Sequence, residues 1–159
     1  MKLDIIDESN YIVYCIDKKN LDVNNQSNIK LILKDVFMYI KNNYNEDVSG
    51  NYDVRIYMDN FNNYVIEINS NFEELLYRNN RLDINININK DVPILYEVED
   101  YFLLHKFKYK HNIYYYNNKY YLLLNKDVSN KLYMYLLEVT SIVYKNTNLI
   151  TKNYNKILI

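Results

Sequence analysis

The sequence predicts an α+β fold of two small domains, each an antiparallel sheet covered by one or two helices. Three observations carry this prediction. Short segments that alternate apolar and polar residues, typical of half-buried strands, recur along the chain. Two longer segments, residues 29–44 and 132–144, repeat apolar residues at helical spacing. An asparagine-rich stretch, residues 71–91, separates the N-terminal domain (1–70) from the C-terminal domain (92–159).

The first domain is predicted to contain two strands, a helix and two further strands. The helix is the clearest element, because its apolar residues recur at intervals of three and four: Ile29, Ile32, Leu33, Val36, Phe37, Ile40 and Tyr44. Either Ser27 or Asn28 is expected to cap its N-terminus. The four strands follow the period of two: residues 3–6, 11–16, 54–58 and 64–68.

The stretch 71–91 is open to two interpretations. Its density of asparagine and the proline just beyond it, Pro93, are typical of a linker between domains. Ile84, Ile86 and Ile88, however, alternate strictly with asparagines, which favours an extra strand. We treat residues 71–91 as a linker and leave the strand at 84–88 open.

The second domain is predicted to contain a strand, a helix, a hairpin, a long helix and a final strand. Residues 94–98 form the first strand, and Asp100 can cap a helix that runs to about Phe107. The hairpin turns at Asn117–Asn118, because asparagine tolerates the positive φ that both central residues of a type I′ turn require. Ser129 is the expected N-cap of the long helix. The hairpin strands are residues 113–116 and 119–124, the long helix covers residues 132–144, and the final strand covers residues 149–159.

Composition excludes several classes of function. A single glycine leaves no glycine-rich phosphate loop, dinucleotide fingerprint or nucleophile elbow. The formal net charge of -1 argues against a strongly cationic nucleic-acid or membrane binder. One cysteine permits no intramolecular disulfide, and there is no signal-peptide pattern or run of about 18 apolar residues. A cytoplasmic protein is therefore expected.

The chain has 20 tyrosines, 28 asparagines and no alanine. This bias is typical of an AT-rich genome, so most tyrosines are expected to reflect codon usage and core packing. Asparagine adopts left-handed backbone more readily than other non-glycine residues. We therefore expect asparagines to stand at turns where related chains have glycine.

No catalytic, metal or cofactor site is predicted. His105 and His111 have no cysteine nearby, and metal centres need three or four converging ligands. Cys15 lacks any local activating signature and is expected to be a small buried apolar residue. The remaining candidates are carboxylates expected on solvated surface: Glu73, Glu74, Glu97, Glu99 and Asp100.

A basic and aromatic segment, residues 106–121, is the best local candidate for binding. Lysines that alternate with aromatic residues can contact phosphates while the rings stack on bases. On this alternative the protein is a small nucleic-acid-binding module that uses four lysines: Lys106, Lys108, Lys110 and Lys119. The competing interpretation is a helix end followed by a half-buried hairpin whose tyrosines fill the core.

Several segments resemble the MecA/YpbH family of bacterial adaptor proteins. In the first half these are residues 1–8, residues 17–21, residues 35–40 at the place of a helical family pattern, and Gly50 before a strand. The second half matches the family pattern in five places: Asp100-Tyr101, Ile113-Tyr114, residues 120–124, Leu136-Leu137-Glu138 and residues 154–159. Asn155 stands where the family has glycine, and Asn153 where it usually has glutamate.

The resemblance implies a non-catalytic adaptor for regulated proteolysis, such as competence regulation. Residues 1–70 would capture a client protein, and residues 92–159 would dock on an AAA+ unfoldase of the ClpC type. Neither a cofactor nor a membrane is implied as a partner. The partner-binding residues implied on this chain are Glu138, Tyr120, Tyr121, Tyr154 and Lys156.

Overall fold

The computed structural model describes residues 2–7, 10–14, 22, 24–45, 48, 50–61, 63–70, 82–100, 111–125 and 128–157. The chain forms two compact units. The first comprises residues 1–57 and 64–89, and the second comprises residues 58–63 and 90–159. Each unit holds a five-stranded sheet and at least one helix, which confirms the predicted α+β class. No helix within the described ranges is long and apolar enough to span a membrane.

The first unit begins with a strand pair, followed by a helix, a second strand pair and a fifth strand. The elements are β1 (Lys2–Asp7), β2 (Asn10–Tyr14), α1 (Gln26–Tyr44), β3 (Gly50–Met58), β4 (Tyr64–Ser70) and β5 (Leu82–Asn89). The strand order is β1-β2-β4-β3-β5. β2 is antiparallel to β1 and β4, whereas β5 is parallel to β3.

Helix α1 covers one face of this sheet. Its predicted apolar stripe is buried from Ile29 to Ile40, and the Phe37 ring packs on Tyr52 of β3 with centroids 5.1 Å apart. The predicted N-cap is wrong by two or three positions, because Asn25 fills that role and its side chain accepts from the backbone N–H groups of Ser27 and Asn28. Asn45 ends the helix with a left-handed φ of 55°.

The strand alternative for residues 84–88 is confirmed, because β5 forms within the predicted linker. In the parallel register Ile84, Ile86 and Ile88 align with the buried Tyr52, Val54 and Ile56, so they share the face that α1 covers. The alternate asparagines point the other way, and the Asn85 amide donates to the Asp53 carboxylate at 3.0 Å. Residues 82–89 therefore belong to the first unit.

The second unit has an antiparallel sheet with helices at both of its faces. Its elements are β6 (Leu95–Val98), β7 (His111–Tyr116), β8 (Lys119–Leu124), α2 (Asn130–Val139), β9 (Ser141–Val143), α3 (Thr147–Ile150), a 3-10 helix (Asn153–Asn155) and β10 (Lys156–Ile157). The strand order is β10-β7-β8-β6-β9, with antiparallel pairing at each step. The helix predicted from Asp100 to Phe107 lies mostly outside the described residues.

Two predictions for this unit are corrected. The long helix ends at Val139 rather than near residue 144, because extended backbone at Thr140 leads into β9, and the Thr140 hydroxyl donates to the Leu136 carbonyl at 2.6 Å. The run Val139-Thr140-Ser141-Ile142-Val143 is rich in β-branched residues, which favour strand. The final strand predicted at 149–159 is instead the end of α3, a 3-10 helix and the two-residue β10.

Asparagine serves as the turn residue at one predicted position and not at the other. Asn117 and Asn118 have φ values of 50° and 61°, which confirms the predicted hairpin turn. Asn155, predicted to replace a turn glycine, lies instead in the 3-10 helix and is not among the residues with positive φ. The Asn155 side chain instead forms hydrogen bonds with backbone carbonyls.

Candidate partner-binding surface

The two faces of the second sheet carry different layers. Alternation along β6, β7 and β8 places Leu95, Tyr114 and Tyr121 on one face, where Ile150 of α3 packs against them. Tyr96 lies on the opposite face, and its ring meets Tyr133 of α2 edge-on with centroids 6.4 Å apart. Helices α2 and α3 therefore lie on opposite faces of the sheet.

The C-terminal segment is fixed to its face by local hydrogen bonds. The Asn155 side-chain amide donates to the carbonyls of Leu149 and Ile150 at 3.0 and 3.1 Å. The Thr151 hydroxyl donates to the Thr147 carbonyl at 3.1 Å. Together with the buried Ile150, these contacts hold the 3-10 helix against the end of α3. The backbone from which the side chains of this segment project is therefore held by hydrogen bonds within the unit.

The outer side of this segment combines exposed apolar groups with positive charge. Tyr154 is 76% exposed and Leu149 47% exposed. The Lys152 ammonium lies 5.9 Å from the centre of the Tyr154 ring, and Lys156 is exposed on β10. We call Leu149, Lys152, Tyr154 and Lys156 the C-terminal patch. The patch contains two lysines and no acidic residue, so its own side chains carry positive charge.

A second polar group on the same sheet face is satisfied internally. Lys119 Nζ donates to Glu97 Oε1 at 2.6 Å, and this contact raises the pKa of Lys119. Burial raises the pKa of Tyr121, and the neighbouring Glu97 carboxylate, to which the Tyr121 hydroxyl donates a hydrogen bond, raises it further. Glu97, expected on solvated surface, is therefore half-buried and paired.

The residues implied by the family resemblance do not form one surface. Lys156 and Tyr121 share the face on which the C-terminal segment lies, although Tyr121 is buried and Lys156 is exposed. Tyr120 alternates to the other face, where its ring lies 5.0 Å from that of Tyr115. Glu138 is exposed on α2, and α2 lies on the opposite face of the sheet from α3, to which the C-terminal segment is hydrogen-bonded.

The lysines of the nucleic-acid alternative are only partly within the described residues. Lys106, Lys108 and Lys110 lie outside them. Lys119 is the one described member, and its ammonium is engaged by Glu97. The neighbouring Tyr114 and Tyr121 are buried, as the core interpretation of the hairpin requires.

The described residues outside this surface offer little further chemistry. They hold no group of three or more histidine, cysteine, aspartate or glutamate side chains that could bind a metal ion. His111 begins β7, while Cys15, His105, Glu73 and Glu74 lie outside the described residues.

A cavity of about 260 Å³ lies in the second unit. Its apolar walls are Phe61, Val92, Pro93, Leu123 and Leu124. Four polar residues complete the lining: Asp59, Asn60, Asp91 and Asn125. The Asp59 carboxylate already accepts from the backbone N–H groups of Phe61 and Asn63, at 2.8 and 2.9 Å, and from the Asn63 amide at 2.7 Å. Asp59 therefore holds its own loop in place.

Sequence reasoning missed Leu149 and Lys152 in the C-terminal patch. One signal could have found them, namely that the residues after Glu138 include three lysines and no carboxylate. Their arrangement depends on the short α3 and the 3-10 helix, where a strand was predicted.

Comparison with known proteins gives no relative for this chain. No protein-family model matches it, and neither a curated protein nor a solved structure does.

Proposed function

We propose that this protein is a non-catalytic adaptor that recruits client proteins to an AAA+ unfoldase of the ClpC type for regulated proteolysis. The observation that carries the proposal is the C-terminal patch, in which Tyr154 is 76% exposed on a segment fixed by hydrogen bonds. The resemblance to the MecA/YpbH family supplies the class of partner. The second unit is the docking unit, and the first unit captures the client.

The patch has the composition of a protein-binding site. Exposed tyrosine is enriched at interfaces because its ring buries a large apolar area while its hydroxyl stays hydrogen-bonded. Since Asn155 holds the backbone beside Tyr154, docking need not order this segment of backbone, which lowers the entropic cost of binding. Leu149 of α3 adds a second exposed apolar side chain to the patch.

Charge on the patch indicates the chemistry of the docking partner. Lys152 and Lys156 flank Tyr154, and the nearest acidic residue before them in the chain is Glu138, on the opposite side of the sheet. A cationic rim attracts an acidic segment and speeds its association. We therefore propose that the unfoldase presents carboxylates around an apolar depression to this patch.

Binding of the full chain to a purified ClpC-type unfoldase tests the proposal. Tyr154→Ala should weaken binding at least tenfold, as expected for an aromatic residue at the centre of an interface. Lys152→Glu combined with Lys156→Glu should weaken binding most at low salt. Lys131→Glu, an exposed charge reversal on α2, is the matched control and should leave binding unchanged.

The outcomes separate the two candidate positions for docking. Loss of binding in Glu138→Lys, with binding intact in Tyr154→Ala, would move the docking site to α2 and overturn the role of the C-terminal patch. Absence of binding by the wild-type chain would contradict the proposal that the unfoldase is a partner. Affinity for single-stranded RNA that falls steeply with salt and with Lys106→Gln, Lys108→Gln and Lys110→Gln would favour the nucleic-acid alternative.

A further inference from the structure

The fifth strand of the first sheet ends the sheet within the described residues. β5 pairs with β3 on one side, and no described strand pairs with its other side. In a parallel pair the backbone N–H and C=O groups of alternate residues point away from the partner strand. β5 is eight residues long, and its outer edge therefore presents a row of backbone donors and acceptors.

β5 carries few of the features by which proteins block an edge strand. It contains no proline, and its only ionisable residue is Asp83. Its side chains alternate without a break, so the strand has no bulge-forming insertion within its register with β3. Leu82 is exposed and Ile84, Ile86 and Ile88 are only half-buried, although they share the face that α1 covers. Among the described residues, a half-buried apolar row beside an edge strand that lacks these features is a pairing surface.

We propose that β5 pairs antiparallel with β5 of a second copy of this chain, centred on Ile86, so that two five-stranded sheets join into one. This inference goes beyond the adaptor function and does not rest on it. The occupant is a second copy because the strand is complementary to itself. A two-fold axis through Ile86 places isoleucine opposite isoleucine and asparagine opposite asparagine over residues 84–88.

The charges at the ends of β5 are compatible with this register. Asp83 of one copy lies opposite Asn89 of the other, and Lys90 lies opposite Leu82, so no like charges face each other. A shift that centres the pair on Asn87 would instead place Asp83 opposite Asp91 of the second copy. The register centred on Ile86 pairs residues 83–89, seven of the eight residues of β5, with β5 of the second copy. The half-buried isoleucine rows of the two copies then cover each other.

A matched pair of charge variants tests the pairing, with sedimentation equilibrium of the full chain as the measurement. The wild type is expected to be dimeric at micromolar concentration. In the variant Asn85→Lys/Asn87→Lys, introduced lysines face each other across the two-fold axis, and the dissociation constant should rise about tenfold or more. In Asn85→Lys/Asn87→Glu the same positions carry opposite charges, and the dimer should persist. The lysine introduced at position 85 remains beside Asp53 in both variants, but residue 87 lies opposite Arg55 of β3, so the circular dichroism of each variant is compared with that of the wild type to exclude unfolding.

Cysteine cross-linking tests the register itself. In a Cys15→Ser background, Ile86→Cys places two cysteines directly opposite each other, at a Cα separation of about 4.5–5.5 Å that a disulfide can bridge. Ile84→Cys is the control, because its opposite residue is Ile88. Oxidation should link the Ile86→Cys chain and not the Ile84→Cys chain.

Three results would overturn the proposal. The first is a wild-type chain that stays monomeric up to high micromolar concentration. The second is a dimer unaffected by the double-lysine variant, which would place the interface elsewhere. The third is a monomer that binds an extended client peptide and loses it in the double-lysine variant, which would make the edge a peptide-binding site instead.

Discussion

Lys119 and Glu97 form a diagonal ion pair across β8 and β6, with Nζ 2.6 Å from Oε1. Tyr121 lies directly opposite Glu97 in the register and shares the same carboxylate. The charge of Lys119 is therefore matched within its own unit. The alternation of lysine and tyrosine in this hairpin, which suggested contact with a polyanion, serves the packing of the sheet at Lys119 and Tyr121.

Removal of the Glu97 charge should lower the pKa of Tyr121 toward its ordinary value. In Glu97→Gln the carboxylate no longer opposes the tyrosinate, whereas the burial of Tyr121 remains. An alkaline titration of tyrosinate absorbance measures this, with Tyr121→Phe used to assign the transition. The free energy of unfolding should change little, because Lys119 is 55% exposed and water screens its pair with Glu97.

The control for this prediction is Glu99→Gln. Glu99 acts on Lys119 through charge alone and is not among the causes that raise the pKa of Tyr121. Its removal should leave the Tyr121 transition in place. An unchanged transition in Glu97→Gln would contradict the shared carboxylate.

Elements with a clear apolar period could be predicted from the sequence. Boundaries at which adjacent residues allow more than one structure could not. The apolar period of α1 is visible in the sequence because one face of the helix must be buried. The first residue of α1 could not be predicted, because Asn25, Ser27 and Asn28 can all act as N-caps and only the backbone conformation selects one. β9 was missed because Ile142, Val143 and Tyr144 continue the apolar rows of the preceding helix as well as they begin a strand.

Truncation of the true N-cap should destabilise the first unit. Asn25→Ala removes the acceptor of two backbone N–H groups and should lower the free energy of unfolding by about 1 kcal/mol. Ser27→Ala is the control at one of the two positions predicted as the N-cap, and it should change stability by no more than about 0.5 kcal/mol. Urea denaturation followed by circular dichroism makes the comparison. A larger loss in Ser27→Ala would assign the cap to Ser27.

The hairpin turn of the second unit should depend on backbone freedom at Asn118. Its φ of 61° disfavours residues with an ordinary side chain, so Asn118→Ala should cost about 1 kcal/mol of stability. Asn118→Gly keeps the backbone conformation and should cost less, although both variants remove the acceptor of the Tyr115 hydroxyl. Thermal unfolding of the two variants separates backbone strain from the lost hydrogen bond. Equal losses would show that the hydrogen bond dominates.

The candidate surface was predictable in its residues but not in its arrangement. Tyr154 and Lys156 were identified through a family pattern, yet the pattern also included Tyr120 and Glu138, which lie toward the other side of the sheet. Period-two alternation separates Tyr120 from Tyr121, and this much follows from sequence alone once the strand is known. The face of the sheet on which α3 lies is set by the packing of Ile150 against Leu95, Tyr114 and Tyr121, and these residues are distant from it in sequence.

Tyr96 should limit the stability of the second unit at alkaline pH. Burial raises its pKa well above the ordinary value, and nearby Tyr133 and Asp59 raise it further. The folded chain therefore keeps a proton that the unfolded chain releases above about pH 10. The stabilisation is fully present below that pH and falls as pH rises toward the folded-state pKa, by about 1.4 kcal/mol per pH unit for this one proton.

Tyr96→Phe should remove that one-proton dependence. At neutral pH it should leave the free energy of unfolding unchanged or raise it by about 1 kcal/mol, because the buried Tyr96 hydroxyl has no hydrogen-bond partner among the described residues. Tyr154→Phe is the matched control, since its exposed hydroxyl remains in water and its loss should not alter stability. Urea denaturation at neutral and alkaline pH measures both variants. A loss of more than about 1 kcal/mol in Tyr96→Phe at neutral pH would mean that the hydroxyl is hydrogen-bonded in the folded chain.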